Sequence, residues 1–367
     1  LSYKYVTYGA QVSADSVRLL LEHQLEQAPP ARPTPVCIWG MHGIGKTEMV
    51  RLLAQEKNIP LVYIAPAQFE EMGDLIGMPR VDDSSEHRTV TRFAPPAWTP
   101  TAEGPGILLL DDFNRADDRI LRGIMQLLQY YELVSWSLPR RWLIVLTANP
   151  DGGDYSVTSL DDAMLTRMLH VTMTFDVNAW ARWAEQAGVD YRGIHFVLAY
   201  PELMSGRRTT PRSLVQFFQA LPAFDRLEEH LPLLKMLGEA TLDTETIEAF
   251  IQFVHLRLDR LPGPTEILET TDFDAMEKRI TRLVRDGETR RMDMLSLLTG
   301  RINSHLLGRK SGLSAQETEN LKRFILSDEL PNDLRLAMAQ QLTASRKPEL
   351  MHLYSIPEIS RLLLEKM

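Results

Sequence analysis

The sequence predicts an α/β fold in which a parallel five-stranded sheet is flanked by helices and followed by a wholly helical remainder. Two observations predict it. From Val36 to about Phe175, short apolar runs alternate with amphipathic helical patterns, as expected for parallel strands covered on both faces. After Phe175 the strand signal fades and helical periodicity takes over, punctuated by Pro and Gly.

The predicted strands are Val36-Cys37-Ile38-Trp39, Leu61-Val62-Tyr63-Ile64, Ile107-Leu108-Leu109-Leu110, Trp142-Leu143-Ile144-Val145-Leu146 and, more weakly patterned, Leu169-His170-Val171-Thr172-Met173. Ahead of them an amphipathic helix spans about Ser13 to Gln27, joined to the first strand by the Pro-rich connector from Ala28 to Pro35. Further on, Leu261-Pro262-Gly263-Pro264 reads as a boundary between helical regions. Ser314 with Glu317, and Ser355 with Glu358, have the spacing of reciprocal helix N-terminal caps, and Ile359, Leu362 and Leu363 follow at helical period.

Bulk properties narrow the classes of function. A chain of 367 residues with 44% hydrophobic composition is long enough for two or three domains. Its net charge of −9 offers no broad basic field for a phosphate backbone, which weighs against nucleic acid as a partner. The single cysteine, Cys37, has no partner for an internal disulfide and lies in an apolar run, where it reads as a small buried hydrophobe. No apolar stretch approaches the roughly 18 to 20 residues that cross a bilayer, and Leu1 to Ala10 lacks the pattern of a secretion signal. The expectation is a cytoplasmic protein without a membrane partner.

The densest chemical signal is Gly40-Met41-His42-Gly43-Ile44-Gly45-Lys46-Thr47, which follows a strand directly and opens a helix carrying Met49, Val50, Leu52 and Leu53. This is a phosphate-binding loop. Gly40, Gly43, Ile44, Gly45, Lys46, Thr47 and Glu48 form the candidate nucleotide-binding set. Glycines let backbone N–H groups ring an anion, the helix N-terminus adds a favourable dipole, Lys46 reaches the terminal phosphates, and the Thr47 hydroxyl can ligate magnesium. The second element is Ile107 to Leu110 ending in Asp111-Asp112, where a buried strand delivers two carboxylates to the ligand-binding edge of a sheet. Asp111 is the candidate magnesium-holding group together with Thr47, and Asp112 the candidate general base. An acidic pair after a strand is often only a turn, but its place downstream of a phosphate-binding loop favours a functional role.

At this point the chain resembles the MoxR-like branch of the AAA+ ATPases. Leu109-Leu110-Asp111-Asp112-Phe113-Asn114-Arg115-Ala116 is similar to that family's Walker B segment, an acidic pair followed two residues later by Asn-Arg-Ala. Asp74-Leu75-Ile76-Gly77 resembles the stretch after the second strand, and Leu121 to Leu128 the helix with the family's Leu-Leu-Gln pattern. The resemblance covers residues 36–220 and is loose beyond. It implies the order 1–35 leading helix and linker, 36–175 AAA+ nucleotide-binding domain, 176–265 helical lid and 266–367 helical C-terminal extension. It also implies ATP and Mg2+ as cofactors. Asn149, in Leu146-Thr147-Ala148-Asn149-Pro150, falls at the sensor 1 position, Arg167 at that of an arginine finger inserted into a neighbouring subunit, and Arg212 at the sensor 2 position that begins a lid helix. A finger in trans implies a homo-oligomer, for this family a hexameric ring, working on a protein substrate or with a von Willebrand factor A-type partner. Arg115 is a further candidate between subunits, whereas Arg207 and Arg208 read as a solvated approach to the lid.

One departure from the family matters. Most relatives of this type carry glutamate where this chain has Asp112, which is one methylene shorter, and a misplacement of about 1 Å in a catalytic group lowers rate on the order of a hundredfold. Three readings of function follow: a MoxR-like ATPase that remodels or assembles a protein partner, a nucleotide-gated scaffold with slow hydrolysis, and a McrB-type GTPase or nucleic-acid-associated motor. Against the last stand the acidic balance and the missing Met-Asn-x-x-Asp signature around Asn149, of which Asp151 is only an echo. The nine histidines and one cysteine show no zinc-ligand spacing, and no transition metal is expected. Trp180 and Trp183 read as core packing, the Pro-rich segment Phe93 to Pro100 as structural, and the Gly308 to Gly312 basic cluster as a solvated helix end.

Overall fold

Strands that are apolar at every position need cover on both faces, and the first half of the chain supplies it. The computed structural model describes residues 7–27, 31–82, 90–150, 158, 160–287, 289–309, 312–344, 350 and 360–361. The chain forms two units, Leu1–Phe175 and Asp176–Met367. In the first, the elements run β1 (Ala10–Val12), α1 (Ala14–Leu25), β2 (Val36–Trp39), α2 (Lys46–Glu56), β3 (Leu61–Ile64), α3 (Met72–Ile76), β4 (Met78–Asp82), β5 (Val90–Ala94), β6 (Gly106–Leu110), α4 (Asp118–Tyr130), β7 (Trp142–Ala148), α5 (Asp162–Leu165) and β8 (Leu169–Met173).

The sheet has the order β1-β8-β2-β7-β6-β3, and every pairing is parallel. Its side chains alternate between two cores, as the period of two along a strand requires. Cys37, Trp39, Leu108, Leu110, Ile144 and Leu146 face Ile120, Ile124, Leu127 and Leu128 of α4 with Leu75 of α3. Val36, Ile38, Ile107, Leu109, Leu143 and Val145 face Val17 and Leu21 of α1 with Val50, Leu53 and Ala54 of α2. Full burial of each such aliphatic side chain contributes roughly 1.5–3 kcal/mol, so this sandwich holds the 11- and 12-residue helices α2 and α1, which would be marginal alone. Cys37 is fully buried, and burial pushes its thiol well above the ordinary range, which leaves it a packing residue.

The sheet therefore has six strands, not the five expected. The sixth, β1, is three residues long and mostly exposed, so it shows no periodic signal of its own; it forms because β8 offers an open parallel edge. A second feature outside the expected pattern is the antiparallel hairpin of β4 and β5, which lies apart from the main sheet. Its residues are largely exposed, and Pro79 argues against a strand on sequence grounds. The segment after it is anchored by Trp98, whose indole N–H donates to the Asp74 carbonyl (3.2 Å) and whose ring meets Trp136 edge-on.

The second unit is helical: α6 (Val177–Gln186), α7 (Tyr191–Ala199), α8 (Pro211–Phe218), α9 (Leu231–Thr241), α10 (Thr244–His255), α11 (Pro264–Glu269), α12 (Phe273–Val284), α13 (Met292–Gly308), α14 (Ala315–Leu326) and α15 (Asn332–Ala344). A two-stranded ribbon, β9 (Arg285–Asp286) with β10 (Thr289–Arg290), interrupts it where only helix was expected; two-residue strands are too short to leave a pattern. Phe196, Phe217, Phe218, Phe250 and Phe253 form an aromatic core, with Phe196 edge-on to Phe250 at 5.2 Å. Trp180 is buried and Trp183 half-buried, which agrees with a packing role. The Ser314–Glu317 capping box is formed at the start of α14, whereas Ser355, Glu358, Ile359, Leu362 and Leu363 lie outside the described residues. Asp151, Lys310 and Ser311 lie outside them as well. Among the described residues, no helix is long and apolar enough to cross a membrane.

Candidate functional site

Parallel pairing brings the carboxyl ends of β2, β6 and β7 together. Trp39 pairs with Ala148 and Leu110 with Leu146, so Gly40, Asp111-Asp112 and Thr147 to Asn149 leave the sheet side by side. Beyond β2 the chain turns through Gly45, whose φ of 102° is strained for any L side chain, and enters α2 at Lys46. Gly40 is held to a bare backbone for a different reason, since a Cβ there would stand 2.9 Å from the Met173 carbonyl oxygen.

Lys46 is only 5% exposed. Its ammonium donates to the Gly40 carbonyl (2.7 Å), the Met41 carbonyl (3.1 Å) and Asn149 Oδ1 (3.2 Å), all neutral oxygens. A buried ammonium beside a helix N-terminus concentrates positive charge at the point where a phosphate would be cradled.

Asp111 is held from three directions. Its Oδ1 accepts from Thr47 Oγ1 (2.5 Å) and Thr147 Oγ1 (2.6 Å), and its Oδ2 from the Tyr63 hydroxyl (3.1 Å). Burial, followed by the charge of Asp111, raises Tyr63 above its ordinary value, which keeps the phenol a donor. Arg51 lies over the Tyr63 ring, 4.6 Å from its centroid. Thr47 and Asp111 thus present a hydroxyl and a carboxylate within contact of each other, a donor set suited to a hard, oxygen-preferring cation such as Mg2+.

Asp112 is in left-handed backbone geometry (φ 48°, ψ 40°), a region Asp tolerates better than most residues, and its N–H donates to Thr147 Oγ1 (2.8 Å). The amide of Asn149 joins the two halves of the site. Its Oδ1 accepts from Lys46, while its Nδ2 donates to Asp112 Oδ1 (3.0 Å). Arg115 comes within 3.7 Å of Asp112 Oδ2 as a partly exposed pair, a kind worth about 0–1 kcal/mol.

Arg167 follows α5, a short turn capped by the Asp161 side chain. It is half-buried, its partners are Gln129 and the Ala163 carbonyl, and it bonds none of the residues above. Arg212 belongs to the second unit, exposed in the first turn of α8, where Thr210 and Ser213 form a reciprocal cap. Arg208, read from the sequence as solvated, is exposed and also donates to the Glu239 and Ala240 carbonyls at the end of α9 (3.1 and 2.7 Å). That is a favourable place for a cation.

Four participants escaped sequence reasoning: Tyr63, Thr147, Asn114 and Gln129. Asn114 is fully buried and pairs reciprocally with the Asn149 backbone, donating to its carbonyl (2.8 Å) and accepting from its N–H (3.2 Å). The signal was present in Asp-Asp-Phe-Asn-Arg-Ala, but a motif does not say what its Asn touches. Removing that side chain strands two buried backbone groups, at about 1–3 kcal/mol each. Asn114→Ala is therefore expected to lower unfolding free energy by roughly 2–6 kcal/mol in a urea titration. An unchanged midpoint would show that the reciprocal pair contributes nothing.

Residues 35–168 match the AAA domain, dynein-related subfamily. This part of the chain has the P-loop AAA+ fold, a class that generally binds ATP with Mg2+. The match does not single out the MoxR-like branch. No curated protein matches the chain. Among solved structures, a mutant RuvB from Thermotoga maritima is 14% identical, with a TM-score of 0.40 over 86% of this chain and 99% of that one. A second mutant RuvB from the same organism is also 14% identical, with a TM-score of 0.40 over 84% and 94%. The fold assignment rests on the matched domain and on the sheet order, not on this distant likeness.

Proposed function

We propose that the chain is an ATPase of the MoxR-like kind, which assembles into a homo-oligomeric, hexameric ring and couples ATP binding and hydrolysis to remodelling or assembly of a protein partner. The observation that carries this reading is the continuous set Lys46–Asn149–Asp112, beside Thr47–Asp111, at one edge of the sheet. Lys46 exchanges its carbonyl partners for phosphate oxygens. Thr47 and Asp111 would hold Mg2+, which would supply positive charge against the phosphates of the nucleotide. Asp112 takes the proton of the attacking water, oriented by the Asn149 amide whose other end is fixed on Lys46. Arg167 stabilises charge in the site of the neighbouring subunit, and Arg212 approaches the γ-phosphate of its own subunit at the start of the lid, residues 176–265. A von Willebrand factor A-type protein is the kind of partner this reading favours.

A second reading, a nucleotide-gated scaffold, is favoured by one observation: the base is an aspartate already engaged by Asn149 and Arg115. Turnover separates the two. Asp112→Glu restores the longer carboxylate and is expected to raise kcat about tenfold or more without changing the affinity for ATP. No gain would mean that the left-handed backbone at Asp112 already brings the shorter side chain into place. Measurable kcat in the parent supports the remodelling ATPase; ATP-driven assembly without it supports the scaffold.

A further inference from the structure

We infer that Gln129 is a positioning residue for Arg167, holding the guanidinium ready for the nucleotide site of a second copy of this chain. This rests on the trans role proposed for Arg167 above. Gln129 Oε1 accepts from both Nε (3.1 Å) and Nη2 (2.9 Å) of Arg167, and the Ala163 carbonyl accepts from Nη1. A guanidinium has five N–H groups. These contacts engage one on each nitrogen and leave one on each terminal nitrogen, the pair that meets a phosphate bidentately.

The support is stiff. Gln129 is the penultimate residue of α4, directly after Leu127 and Leu128, which are buried against the sheet. An arginine side chain is rich in rotamers, and fixing it beforehand removes that ordering from the step in which it is used. The chemistry of the anchor is equally specific. Both acceptors are neutral, so they orient the cation without neutralising it, whereas a carboxylate at 129 would keep the geometry and cancel the charge.

Gln129 is exposed, so its substitution leaves the core intact. The test compares kcat and ATP affinity for Gln129→Ala, Gln129→Glu and Arg167→Ala, each alone and mixed with Asp112→Asn protomers. The last lack the proposed base, are expected to bind nucleotide without hydrolysing it, and supply an intact Gln129–Arg167 pair. Gln129→Ala is expected to lower kcat about tenfold at unchanged ATP affinity. Gln129→Glu should lower it at least as far; a merely structural hydrogen bond would survive in the glutamate and leave kcat at the parent value. Mixing should restore activity to Gln129→Ala and Arg167→Ala alike. Rescue of Arg167→Ala but not of Gln129→Ala, or parent kcat in Gln129→Ala beside an impaired Arg167→Ala, overturns the role of Gln129 and leaves the finger standing. Rescue of neither variant, or parent kcat in both, overturns delivery to a neighbour and the proposal with it.

Discussion

Arg167→Ala is expected to lower kcat for ATP by about a thousandfold while leaving ATP affinity within a few-fold of the parent, the range seen when an arginine finger is removed. The split follows from where the side chain lies. Arg167 is bonded to Gln129 and Ala163 and makes no bond to Lys46, Thr47, Asp111 or Asp112, so its loss cannot disturb the phosphate cradle of its own subunit. A charge delivered by a neighbour acts when negative charge develops in transfer, not when nucleotide binds. Steady-state kinetics with a parallel binding titration separate the two constants. Equal losses in both would place Arg167 in ground-state binding, and an unchanged kcat would remove it from the mechanism.

Lys46→Ala is expected to raise the Kd for ATP by roughly 30- to 5,000-fold, to the point where turnover is lost. The side chain is buried, spans from the loop carbonyls of Gly40 and Met41 to Asn149, and is the cation nearest the helix N-terminus in this network. A buried, hydrogen-bonded charge contributes about 2–5 kcal/mol when its partner is equally buried, which corresponds to roughly 30- to 5,000-fold in affinity. Its removal also leaves Asn149 Oδ1 without the Lys46 donor, so the amide can turn and take Nδ2 away from Asp112, and any residual binding should be catalytically idle. Fluorescence titration with a labelled ATP analogue measures the first effect, and single-turnover chemistry the second. Parent-like affinity in the alanine variant would mean that the loop backbone alone holds the phosphates.

Much of this site is legible in the sequence because local pattern dictates it. The strands buried on both faces appear as apolar runs, since a parallel sheet leaves no polar face to alternate with. Gly45 and Lys46 are readable because the turn into α2 needs a left-handed residue and the buried cation follows at once. The contacts between segments are not readable in this way. Thr47 meets Asp111 across 64 residues of chain and Lys46 meets Asn149 across 103, and only strand order and register bring them together. Thr147 is found beside Asp111 because β6 and β7 pair Leu110 with Leu146, a fact no single segment encodes. Gln129 closes the Leu-Leu-Gln pattern of α4, but nothing in that pattern says what its amide touches until the fold sets Arg167 against it. The extra strand β1 was missed for the opposite reason. It carries almost no pattern and owes its conformation to the edge of β8.

The measurement that tests the central claim most directly is steady-state hydrolysis of ATP and GTP by the purified protein over a range of protein concentrations, with sedimentation in parallel in the presence and absence of a non-hydrolysable ATP analogue. A ring ATPase with its finger in trans predicts ATP-selective turnover whose specific activity rises with protein concentration as the assembly forms. Turnover independent of concentration by a particle that stays monomeric with the analogue bound would contradict it.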